Sequence, residues 1–156
     1  MSREAILARM EAVLTTTGLF GSVLRNDLIT DESKATVAML MDGDEQAVSE
    51  GTDRRRPDPL FPRRVEMHPE VYIILGRVKE HDSGPYLNWL IDSLNYAFLR
   101  DGPLLGLLWE KHIVYDGANT GFSLGRSMAG EVALNYTLIR VERFGEPGPN
   151  PLETTA

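Results

Sequence analysis

The sequence predicts an α+β domain: an antiparallel or mixed sheet of four to six strands, with two main helices packed on one face and a long arm between two strands. Three observations carry this expectation. Helical periodicity is confined to two segments, near the N-terminus and past the middle of the chain. The strand-like runs come in groups and do not alternate strictly with helices, which argues against a parallel α/β sheet. Two of those runs, residues 36–41 and 70–76, are separated by residues 42–69, rich in charge, Pro and Gly. Hairpin loops usually take about 2–5 residues, so so long an insertion reads as a device for touching something else.

Residues 3–15 form the first predicted helix. Ser2 stands at the N-cap, and Ile6, Met10, Val13 and Leu14 share one face. The run Thr15-Thr16-Thr17-Gly18 ends it, since β-branched residues followed by Gly disfavour continuation. Residues 22–26 are a short strand candidate and 27–34 a polar turn region. Residues 36–41 are apolar on both faces, as in a strand covered on both sides.

The arm, assigned to residues 42–64, divides by charge. Asp42, Asp44, Glu45 and Glu50 precede Arg54, Arg55, Arg56, Arg63 and Arg64, and Pro57, Pro59 and Pro62 stiffen its second half. Residues 64–67 and 70–78 are strand-like around Pro69, which implies an edge, a bulge or a strand start. Residues 79–83 read as a polar turn.

The second helix is expected over residues 84–100, with Ser83 as cap and Pro85 in the first turn. Leu87, Leu90, Ile91, Leu94, Ala97 and Phe98 fall on one apolar arc. Tyr86, Trp89, Ser93 and Tyr96 form an adjoining stripe, leaving Asn88, Asp92, Asn95 and Leu99 for the opposite side. That is a wide apolar surface for a helix packed on one sheet. Residues 101–103 then terminate the helix, 104–109 form an apolar connector, 112–115 a strand and Asp116-Gly117 a turn. Residues 131–142 make the strongest strand pattern in the chain, with Val132, Leu134, Tyr136 and Leu138 alternating with Glu131, Ala133, Asn135 and Thr137. The domain thus spans 1–143, and 144–156 form a Pro/Gly-rich tail expected to be mobile.

Composition narrows the function. At 156 residues the chain fits one domain with a real core. It has no Cys, which excludes a disulfide framework, a thiolate metal site and a Cys nucleophile. No apolar run approaches the roughly 20 residues that span a bilayer, and no secretory signal pattern opens the sequence, so synthesis in the cytoplasm is expected. The net charge of −7 argues against a general duplex-DNA binder.

The motifs with chemical potential are incomplete. Gly121-Phe122-Ser123-Leu124-Gly125 matches the nucleophile elbow G-x-S-x-G, but His68, His81 and His112 all precede Ser123 and a strand pattern follows it. A Gly-rich turn into the last strand is the plainer reading, with a small serine hydrolase using Ser123 as the enzymatic alternative. Asp42-Gly43-Asp44-Glu45 opens like a calcium loop, but Gln46 and Ala47 stand where further ligand and Gly are needed. The histidines lack metal-ligand spacing. No catalytic set, metal or cofactor is expected. Arg54, Arg55 and Arg56 form the single basic cluster, either a solvated loop face or a contact with an acidic neighbour or phosphate. Tyr86, Trp89 and Tyr96 are either core or subunit interface.

The chain resembles the tail terminator proteins of long-tailed bacteriophages, also called tail completion or minor tail protein U. The likeness is carried by Arg3-Glu4-Ala5-Ile6-Leu7-Ala8-Arg9, Val23-Leu24-Arg25-Asn26, Thr36-Val37-Ala38-Met39-Leu40 with the arm behind it, residues 67–76, the helix near 86–98 and the final strand at 131–141. It covers about residues 1–142 and rests on element order and short runs. The resemblance implies a hexameric ring of this chain in the virion tail. Such a ring caps the tail tube, stops its polymerisation and offers a surface to the head–tail connector protein. Genomic DNA would pass through its channel without specific binding, and no membrane is involved. A head-closure or other neck component is the alternative within the same class. A ring needs two different patches per subunit, for which Tyr86, Trp89 and Tyr96 on one side and Arg54, Arg55 and Arg56 on the other are the candidates.

Overall fold

The computed structural model describes residues 2–27, 36–48, 60–76, 80–122 and 130–153, with the side chains of 80–83 and 120–122 left aside. Its elements run α1 (Arg3–Thr16), β1 (Ser22–Arg25), β2 (Val37–Ala47), β3 (Arg63–Ile74), α2 (Glu80–Leu99), α3 (Gly102–Gly106), a 3-10 turn at Trp109–Lys111, β4 (Ile113–Phe122) and β5 (Gly130–Glu142). The five strands form one open mixed sheet in the order β1-β2-β3-β5-β4. β1 and β2 are parallel, and the other neighbours are antiparallel. This is the α+β fold expected.

Alternation builds the layers. Along β5, Val132, Leu134, Tyr136 and Leu138 are buried, and along β3 so are Met67, Val71 and Ile73. With Ala38 and Leu40 of β2 they make one sheet face, on which α1 sets Ile6, Leu7, Met10, Val13 and Leu14, and α2 sets Leu87, Leu90, Leu94 and Phe98. Both main helices therefore lie on the same face. The Ser2 side chain accepts a hydrogen bond from the Ala5 amide at 3.1 Å, the N-cap anticipated from the sequence. At the other end Gly18 takes a φ of +67° as the residue beyond the cap, and its amide donates to the Thr15 carbonyl.

Four boundaries differ from the sequence reading. The arm is shorter than 42–64, because β2 continues to Ala47 and β3 begins at Arg63, the two pairing through Ala47↔Val65. Charges assigned to the arm serve the domain instead. Arg25 donates to Asp42 at 2.8 Å and to Glu4 at 2.7 Å, joining β1, β2 and α1. Arg140, a buried cation on β5, donates to Glu45 at 2.6 Å and to Glu142 at 2.6 Å, closing the base of the hairpin. The stretch that joins the two strands, 48–62, includes 49–59; Arg54, Arg55 and Arg56 therefore lie outside the described residues.

Pro69 stands within β3, flanked by β2 and β5, and the ladder accommodates it by a bulge on β2 between Met41 and Asp44. Gly43 makes that bulge with a φ of +71°; a Cβ there would fall 2.0 Å from the His68 carbonyl oxygen. The acidic run Asp42–Glu45 is thus strand and bulge, not an ion-binding turn.

Helix α2 starts at Glu80, so 79–83 is not a turn throughout, Ser83 is not the cap and Pro85 lies inside the helix. Polar residues lower the apolar signal without barring a helix, and acids such as Glu80 and Asp82 suit its first turn. The supposed terminators at 101–103 start α3: the Asp101 side chain accepts from the Leu104 amide at 2.9 Å, with Pro103 in the first turn. Asp116-Gly117 is likewise no turn but a bulge within β4, which runs on to Phe122.

Candidate subunit interface

The orientation of α2 is fixed from its buried side. Tyr136, fully buried on β5, donates its hydroxyl to Asn95 Oδ1 at 2.7 Å and meets Phe98 edge-on at 5.3 Å. Burial pushes the Tyr136 phenol well above its ordinary range, so it stays a neutral donor. With Leu94, Asn95 and Phe98 turned to the core, Trp89, Tyr96 and Arg100 are left on the exposed side of the helix. Trp89, Ser93, Tyr96 and Arg100 succeed one another at steps of four, three and four, a single line along the helix.

That line is aromatic and exposed. Trp89 keeps 53% of its surface accessible and Tyr96 65%. Tyr86 is half-buried against the core and stacks on Trp89, with ring centres 6.1 Å apart. The Arg100 guanidinium lies 4.3 Å from the centre of the Tyr96 ring. The structure thus divides the predicted stripe: Tyr86 belongs partly to the core, whereas Trp89 and Tyr96 form an outward ridge. Two large rings held in solvent on a well-packed helix have the composition that contact surfaces favour, since Tyr and Trp are enriched at interfaces.

A groove of about 290 Å³ adjoins the ridge, lined by Arg9, Val13 and Thr16 of α1 and by Tyr96, Arg100 and Asp101. Arg9 bridges to Asp101 through two hydrogen bonds of 2.8 and 2.7 Å, a pairing within the groove lining that neutralises both charges there. The Arg9 hydrogen bonds hold the Asp101 carboxyl below its usual range.

A second apolar patch lies at the described flank of the arm. Leu60 is 68% and Phe61 58% exposed, immediately before β3, at the opposite end of that strand from the segment leading into α2. Sequence reasoning passed over them, although two large apolar residues between Pro59 and Pro62 are a signal in a segment otherwise polar.

The other sheet face carries a polar row across β3, β5 and β4 that no sequence motif announced. His68 lies 3.5 Å from Glu66 and 3.3 Å from the Thr137 hydroxyl, which itself donates to Asp116 at 2.5 Å. A nucleophile with a base and an orienting acid needs its hydroxyl proton directed at the base. Here that proton is engaged by Asp116, so the row is a cross-strand hydrogen-bond ladder. Its members come from three strands, β3, β4 and β5, which only the strand register unites. Among the described residues no group of three His, Cys, Asp or Glu is placed to hold a metal ion. Ser123 lies outside the described residues; the strands on either side of it, β4 and β5, are antiparallel neighbours, not the strand and helix that flank a nucleophile elbow.

No protein-family model matches this chain, and no curated protein sequence matches it.

Proposed function

We propose that this chain is a ring-forming structural subunit of a long-tailed phage virion. Its ring caps the tail tube, ends tube polymerisation and joins tail to head. The observation that carries this reading is the exposed Trp89–Tyr96 ridge on a helix whose other side is anchored in the core. Leu60 and Phe61 supply a second, different patch, and two unlike patches per subunit are what a closed heterologous ring requires. The order of elements that carries the family resemblance supports the same assignment. The net charge of −7 suits a channel through which DNA passes without being gripped.

The test is to add the protein to polymerising tail-tube subunits and measure tube length. Capping gives short tubes with one subunit ring at an end. Unchanged lengths with no protein on the tube ends would contradict it, and binding to a portal–adaptor complex instead would assign the chain to head closure.

A further inference from the structure

We propose that the α2 ridge is the receptor for the Pro-rich C-terminal segment of a second copy of this chain. The proposal deepens the ring reading by naming the subunit contact, and it rests on that reading only for the number of subunits that close.

The segment is presented for capture. Every residue from Arg143 to Glu153 is exposed, Leu152 to 88% and Phe144 to 45%, after the last sheet residue. Pro147 and Pro149 restrict the backbone ahead of Asn150, and a turn then follows in which the Asn150 carbonyl accepts from the Glu153 amide at 3.0 Å and the Asn150 side chain accepts from the Leu152 amide at 2.9 Å, with Leu152 left exposed. Extended Pro-rich segments are recognised by aromatic grooves, where proline rings lie against Tyr and Trp faces. Trp89 and Tyr96 offer those faces, and the adjoining groove between α1 and α2 receives an aliphatic side chain such as Leu152.

Charge matches as well. Glu146 and Glu153 bracket the prolines and have no cationic partner among the described residues. Arg100, lying over Tyr96 at the C-terminal end of the ridge, has no carboxylate partner among them either, since the neighbouring Asp101 is taken by Arg9. A tail-on-ridge contact between copies joins two different surfaces, the head-to-tail geometry that propagates around a ring.

The experiment uses the full chain, diluted to monomer, titrated with a synthetic peptide of residues 144–156 and read by the Trp89 indole NH resonance, with Trp109 as internal control. Saturable movement of the Trp89 signal alone is expected, weakened about tenfold or more by Tyr96→Ala. It should be lost when Pro149 and Pro151 of the peptide are replaced by Asp. No saturable shift at millimolar peptide, or binding unchanged by Tyr96→Ala, overturns the proposal. A mixing test separates neighbour from self. A ridge variant (Tyr96→Ala with Arg100→Gln) and a tail variant (Pro149→Asp with Leu152→Asp) are each expected to remain monomeric, and their mixture to form one-to-one dimers only. Peptide binding without mixed dimers shows docking on the chain's own ridge and overturns the intermolecular contact. Rings that persist in either variant overturn the tail contact while leaving the ring reading intact. Rings absent from the unmodified chain at every concentration, with the peptide still bound, count against the ring reading alone.

Discussion

Two glycines with nearly the same φ serve different ends. At Gly43, φ +71°, the missing Cβ makes room for the β3 backbone, and an added methyl would meet the His68 carbonyl at 2.0 Å. Gly18, φ +67°, has nothing within 4 Å of such a methyl. Gly43→Ala should therefore cost roughly 2–4 kcal/mol, and Gly18→Ala only about 1 kcal/mol, the backbone penalty alone; urea unfolding of the two variants checks the difference. The ion pairs give a pH dependence with a definite sign. Arg25 lowers the carboxyls of Glu4 and Asp42, Arg9 lowers that of Asp101, and Arg140 lowers that of Glu142. Carboxyls depressed in the folded state stabilise it fully above their ordinary values, 4.5 for Glu and 3.8 for Asp, and lose that contribution as pH falls through the lower folded values. Thermal stability should hold between neutral pH and about 5 and drop on further acidification. Arg25→Met should flatten the drop, because it removes the partner of two of these carboxylates. None of these pairings was legible in the sequence, where Asp42 and Glu45 read as arm charges; Arg25 and Arg140 find them across strands, through pairing that local pattern does not encode.

At the scale of elements, α2 divides its duties between two faces. Leu90, Leu94 and Phe98 are fully buried, while Trp89 and Tyr96 project outward from the same turns. Leu94→Ala should cost about 2–5 kcal/mol. Trp89→Ala and Tyr96→Ala should each stay within about 1 kcal/mol of the unmodified chain in stability while reducing self-association, measured by chemical unfolding beside light scattering. The apolar arc and the aromatic stripe were both readable from helical spacing, but which aromatic is core was not: Tyr86 and Trp89 are one turn apart, and only the packing of α2 on β5 decides. The β5 pattern up to Leu138 and the α1 pattern were legible because a single buried face imposes periods of two and 3.6. The ends of α2, α3 and β4 were not, because Asp101, Pro103 and Gly117 carry local signals that start or bend an element as readily as they stop one.

For the whole molecule, the exposed large apolar side chains among the described residues include the α2 ridge, the Leu60–Phe61 flank of the arm, Val114 on β4, and Phe144 and Leu152 in the Pro-rich segment that follows β5. An acidic domain with unlike patches is suited to closing on copies of itself around a passage for a polyanion. The arm was foreseen as the contact element; the strands claim its charged roots, and its exposed apolar flank is what the sequence reading missed. The most direct test is negative-stain imaging of the concentrated chain, alone and with polymerising tail-tube subunits. The account predicts rings with a central hole, alone or seated on the ends of shortened tubes. Tubes of unaltered length and bare ends, beside a chain that forms no rings, would contradict it.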